Sequence, residues 1–224
     1  MLINADFSAP ATVTPDDYRW VASPQAGVER VMLDRVGGEV ARATSLVRYA
    51  EGSTFPTHQH PGGEEILVID GVFSDEQGDY PAGWYLRNPP GSAHRPHSIP
   101  GALILVKLYQ MRPDEDMAVR VNTSAPASWK VADGRDICML FDGGHEQAYL
   151  EKLVDMAELE TSGSDGVEVF VLSGALSMGG KTYGDGSWLR LPTGTFPAIH
   201  SLGASTVFVK TGHFDLPEGQ EAFR

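Results

Sequence analysis

The sequence predicts an all-β protein made of two consecutive jelly-roll barrels, each a double-stranded β-helix. Two observations carry this. Short runs rich in Val, Ile, Leu, Tyr and Phe recur between Gly, Pro, Asn and Asp, as in ILVIDGVF, GWYLRNP, ALILVKLY, EVFVLSGAL and STVFVKTG. Such spacing is that of an all-β sandwich or barrel. The chain also repeats itself. Displaced by 103 residues, EILVIDGVFS (65–74) lies over EVFVLSGALS (168–177), and GWYLRNPPGSAHRPHS (83–98) lies over GSWLRLPTGTFPAIHS (186–201). Gly83, Leu86, Arg87, Pro89, Gly91, His97 and Ser98 meet Gly186, Leu189, Arg190, Pro192, Gly194, His200 and Ser201. Similarity at a fixed period signals a duplicated structural unit.

Taken in order, the first copy opens with a strand around Val31-Met32-Leu33-Asp34, turns at Gly37-Gly38, and continues through EVARATSLVRYAEG. Its counterparts are Ile137-Cys138-Met139-Leu140 and Gly143-Gly144, now displaced by 106, followed by EQAYLEKLVDMAELE. That last stretch has strong helix propensity, but its repeat partner reads as a strand, and the repeat decides for strand. The change of displacement implies that the second copy lost about three residues, expected in the part corresponding to HQHPGG (58–63). The predicted domains are 1–118 and 119–224, divided within MRPDEDMAVRVNTSAP.

The totals limit the function. A chain of 224 residues that is 42% hydrophobic can bury two cores. The formal net charge of −13 disfavours nucleic-acid partners and anionic membrane surfaces. No apolar run is long enough for a transmembrane helix, and MLINADFSAP does not read as a secretory signal. The single cysteine, Cys138, allows no internal disulfide and reads as a core residue, consistent with a cytoplasmic setting.

HQHPGGEE concentrates the chemistry. On a strand, His58 and His60 project to one face. Pro61-Gly62-Gly63 can fold the chain so that Glu64 joins them. His94, at the end of a later hairpin, supplies a fourth donor. Three imidazoles and a carboxylate suit Zn, Fe, Mn, Ni or Cu. In the second copy Thr161, Gly163, Val167 and Pro197 fall at these positions, so one metal per chain is expected. Glu65 and His97, like Arg87, have counterparts in the copy without ligands (Glu168, His200, Arg190), which gives them a structural reading. His145 and His213 read as ordinary loop histidines.

Gly52, His58, His60, Glu64 and Gly71 match the first cupin motif, and Gly83, Pro89, Gly91 and His94 match the second; Ser98 stands where an Asn often closes it. From His58 to His94 the wording resembles the cupin half of ChrR, an anti-sigma factor of the singlet-oxygen response. The resemblance implies a bicupin whose His58, His60, Glu64 and His94 bind one divalent metal, zinc first, with Fe, Mn or Ni as alternatives. ChrR proteins grip their sigma factor through a helical domain with a His-x3-Cys-x2-Cys zinc motif, which one cysteine cannot supply. A sigma factor or other regulatory protein is therefore a weakened expectation, beside a small-molecule ligand and a homo-oligomer.

Two functions compete. The first is a regulatory, stress-sensing metal cupin. The second is a mononuclear dioxygenase acting on a small enolisable compound. Tetrahedral zinc with four protein ligands is closed, whereas octahedral Fe or Mn keeps positions for substrate and O2. A metal that only stabilises the barrel is the third reading.

Overall fold

The computed structural model describes residues 1–38, 40–160, 166–194 and 196–214. They form β-strands and two short 3-10 turns, Pro15–Asp17 and Pro126–Ser128. No described helix is long and apolar enough to cross a membrane. The stretch with helix propensity is strand, Gln147–Leu153 followed by Glu158–Leu159. The sheet overrides propensity there because Tyr149 and Leu153 enter a buried core.

The chain divides into two compact units. Among the described residues, one comprises 1–5 and 19–124; the other comprises 6–18 and 125–214. The division thus falls six residues beyond 118, and residues 6–18 lie in the second unit. The cause is strand pairing: Ala11–Val13 is an edge strand beside Trp188–Leu191.

In the first unit the main sheet runs Leu2–Ile3, Val28–Gly37, Ala41–Tyr49, Ala102–Leu108, Glu64–Asp75, Trp84–Asn88, Val119–Asn122. Smaller strands complete the barrel. Gly78–Pro81 pairs with the far half of Glu64–Asp75, His97–Ser98 pairs with Ser53–Thr54, and His58–His60 pairs with Ser92–His94. Alternate residues of the main strands point inward. Val28, Tyr49, Ile66, Val68, Ile104 and Val106 share one core.

The second unit has the same strand order: Lys130–Ala132, Arg135–Asp142, Gln147–Leu153, Ser205–Thr211, Val167–Ser173, Trp188–Leu191, Ala11–Val13. Its register relocates the missing residues. Arg35 pairs with Ala43 across seven intervening residues, and the corresponding Asp142 and Gln147 are separated by four. The three-residue shortening therefore lies in this first hairpin. A single residue is lost between the next strand and Val167, because Val47 faces Ile104 as Glu151 faces Val207. The sequence misplaced the gap because Gly37-Gly38 and Gly143-Gly144 aligned by turn chemistry alone. Cys138 is fully buried, and burial pushes its thiol up to about 11.

The duplicated charged residues occupy the sheet face opposite that core. Glu65 sits between Arg87 and Lys107 in register, as Glu168 sits between Arg190 and Lys210. Arg87 is fully buried and donates to Glu65 at 3.2 Å and to Glu115 at 2.7 Å. His145 is an exposed loop residue, but His213 is not: it is buried, with Nε2 2.9 Å from the Glu168 carboxylate. His97 joins a short strand between Thr54 and Ser74.

Arg87→Ala leaves Glu65 buried without its guanidinium partner. It is expected to lower stability by about 3–5 kcal/mol, the usual cost of breaking a buried pair. Urea unfolding of the variant against the parent chain checks this.

Candidate metal centre

The ligand cluster is a product of register. His58 lies directly across from His94, and His60 across from Ser92. Facing positions on one side of an antiparallel pair bring side chains together. Glu64 begins the long strand that follows, opposite Asn88 on one side and Leu108 on the other. The link between His60 and Glu64 depends on two glycines. Gly63 has φ +76°, a left-handed conformation that favours glycine. A Cβ on Gly62 would run into Tyr109, and one on Gly63 into the Met111 side chain.

The four donors converge. One ligand atom from each of His58, His60, Glu64 and His94 lies within 4.8 Å of the others. His60, Glu64 and His94 are 3%, 6% and 4% exposed, while His58 is half-buried. Both His60 Nε2 and His94 Nε2 face Glu64 Oε2, at 3.4 and 3.3 Å. Neither nitrogen has a hydrogen-bond partner, although both are buried. Buried imidazole nitrogens are costly to leave unpaired, so this pair fits a cation held between them and the carboxylate. Bonds of about 2.0–2.2 Å to a common ion span the cluster with a small inward movement.

The other ring nitrogens are committed. His58 Nδ1 lies 3.0 Å from the Pro56 carbonyl, His60 Nδ1 3.0 Å from Ser92 Oγ, and His94 Nδ1 3.3 Å from Asp75 Oδ2. A partner of this kind fixes the tautomer and aims the remaining nitrogen at a metal. Glu64 is positioned likewise: Asn88 Nδ2 donates to its Oε2 at 3.1 Å, and Arg120 donates to Asn88 Oδ1 at 2.7 Å.

The electrostatics divide the histidines. Burial lowers the pKa of His60, reinforced by His94 and His58 and opposed by Glu64. Burial also works against protonated His94, but the Asp75 hydrogen bond and the Glu64, Asp75 and Glu76 charges outweigh it, so its pKa is raised.

Sequence reasoning named the four donors but not Asp75, Ser92, Asn88 or Arg120. Ser92 was within reach of it, two residues before His94 on the same strand face. Asp75 and Arg120 carry no local signal. In the second copy Val167 and Leu191 are buried where Glu64 and Asn88 stand, and Pro197 is exposed at the His94 position. Thr161 and Gly163 lie outside the described residues.

Asp75→Asn keeps the shape but removes the charge that orients His94. Metal affinity is expected to fall about 10–100-fold, read by competition with a chromogenic chelator.

The fold is widespread. A candidate dioxygenase from Nostoc punctiforme superposes with a TM-score of 0.69 at 16% identity, over 94% of this chain and 81% of its own. Protein Ylba from E. coli gives 0.69 at 15% identity, with 92% of each chain covered. The bacterial pirin YhhW from E. coli, solved in complex with nickel(II), gives 0.65 at 13% identity, over 91% of this chain and 98% of its own. At these identities the likeness shows the cupin fold. No curated protein matches the chain. Residues 8–112, which contain all four candidate ligands, match the model of the ChrR cupin-like domain.

Proposed function

We propose that this protein is a mononuclear metal-dependent enzyme that binds a small organic substrate beside its metal, with O2-dependent cleavage of an enolisable compound as the reaction class. The observation that carries this reading is a pocket of about 380 Å³ with His58, His60 and Glu64 in its wall. Its volume lies in the range of small-molecule sites, about 300–1,000 Å³. A metal that only braced the barrel would need no such chamber. The structural likeness to a candidate dioxygenase supports the class by analogy of fold.

A bound divalent metal would supply Lewis acidity toward substrate oxygen. The chain's own residues hold and orient. His58, His60, Glu64 and His94 are the ligands; Pro56, Ser92, Asp75 and Asn88 aim them. Val47, Ile104, Val106 and Leu108 give the pocket an apolar wall.

The second reading is a ChrR-type regulator with a closed zinc site, passing a stress signal to a protein partner. The deep burial of His60, Glu64 and His94 favours it, as does the match of residues 8–112 to the ChrR cupin-like domain.

Metal analysis of protein purified without added metal separates the two, together with O2 uptake in the presence of acetylacetone. One metal per chain is expected, and His58→Ala or His94→Ala should abolish its binding. A second metal in the unit that carries Val167 would contradict this. For an enzyme, Glu64→Gln should retain much of the metal and change reactivity, since three imidazoles suffice to hold the ion. Native zinc, no O2 uptake, and loss of the metal in Glu64→Gln would favour the regulator instead.

A further inference from the structure

The pocket beside the ligand cluster contains a cation that the metal does not require. Arg30 lies on the Val28–Gly37 strand, in register with Val47, which in turn faces Ile104. All three line the pocket, with Val28, Val106 and Leu108 adding apolar wall. Arg30 is half-buried, and its Nε is buried without a hydrogen-bond partner. No carboxylate among the described residues pairs with its guanidinium. Glu64 is the single acidic residue among those lining the pocket. Three neutral imidazoles, one carboxylate, a dication and Arg30 leave an excess of positive charge in largely apolar walls. Charge in such surroundings is costly unless it is paired.

The two copies provide an internal control. Residues with a scaffold role persist between them: Glu65 and Glu168, Arg87 and Arg190, Lys107 and Lys210. Residues of the cluster do not: Glu64 gives way to Val167, Asn88 to Leu191 and Asp75 to Met178. By register, Arg30 corresponds to Ile137, since Arg30 faces Val47 as Ile137 faces Glu151. Ile137 packs against the apolar core of its unit. Arg30 is thus absent where the ligands are absent.

We infer that the pocket takes a small organic acid with an apolar body, whose carboxylate pairs with Arg30 while the rest of the molecule lies along Val47, Ile104 and Val106 toward the ligand cluster. This rests on the reading of the pocket as the substrate site, and it makes Arg30 the residue that selects an anion over its neutral analogue. A planar guanidinium suits a carboxylate through paired hydrogen bonds.

The test is calorimetric titration of the metal-loaded full chain with 4-methylpentanoate and with its neutral isostere 4-methylpentanamide. The acid is expected to bind about tenfold or more tightly than the amide. Arg30→Met should weaken the acid about tenfold to a hundredfold, the usual effect of losing a charged hydrogen-bond partner. Metal content and amide binding should not change, and Arg30→Lys should restore part of the loss. Three results would overturn the inference: equal affinity for acid and amide; undiminished acid affinity in Arg30→Met, which would place the anion on the metal alone; or no saturable binding of the acid at millimolar concentration. Arg30-dependent acid binding by a protein that consumes no O2 would keep this inference and remove the enzymatic reading. O2 uptake with acetylacetone by a protein whose acid affinity is undiminished in Arg30→Met would do the reverse.

Discussion

The centre depends on one short antiparallel pairing, His58–His60 against Ser92–His94. It sets His58 against His94 and His60 against the serine that holds its Nδ1. A slip of one residue would turn each side chain to the opposite face and scatter the donors. The register is secured nearby by the tight Gly62-Gly63 passage under Tyr109 and Met111. There the backbone approaches side chains more closely than any Cβ allows. The fourth donor, Glu64, is delivered by the next strand, whose own register with Asn88 and Leu108 belongs to the main sheet. Two pairing systems therefore meet within five residues of chain.

This arrangement explains why the two units share a fold and differ in chemistry. The main sheet needs inward apolar residues and the charged face of Glu65, Arg87 and Lys107, and these recur as Glu168, Arg190 and Lys210. Buried charges of this kind persist together, since losing one leaves the others uncompensated. The ligand cluster carries no such duty to the sheet. Where Glu64 and Asn88 become Val167 and Leu191, the positions join a continuous apolar core, and the fold continues without the polar pair.

Around the first cluster the polar groups form two layers. Glu64 draws together two imidazole nitrogens and the Asn88 amide, while Asp75, Ser92 and Pro56 hold the far sides of the rings. The pocket with Arg30 opens on the same cluster. A rigid set of donors on one side and an apolar chamber with one cation on the other is a division of labour suited to holding an ion and admitting an organic anion.

Much of this was legible in the residues alone. The repeat, the strand-rich pattern and the donors His58, His60, Glu64 and His94 are local signals: identities at fixed spacing, alternation, and histidines two apart. The repeat also decided correctly against helix propensity at 147–153. Tertiary structure alone decided the rest. Asp75 stands at the far end of the strand that begins with Glu64, and Arg120 comes from the later strand Val119–Asn122, so no spacing announces them. The passage of residues 6–18 into the second unit follows from an edge pairing with Trp188–Leu191 that the residues 11–13 do not advertise. His213 became a buried partner of Glu168 for the same reason. Arg30 reads as one more surface cation until the sheet turns its face inward, because a side chain's environment is set by the strands opposite it and not by its neighbours in the chain.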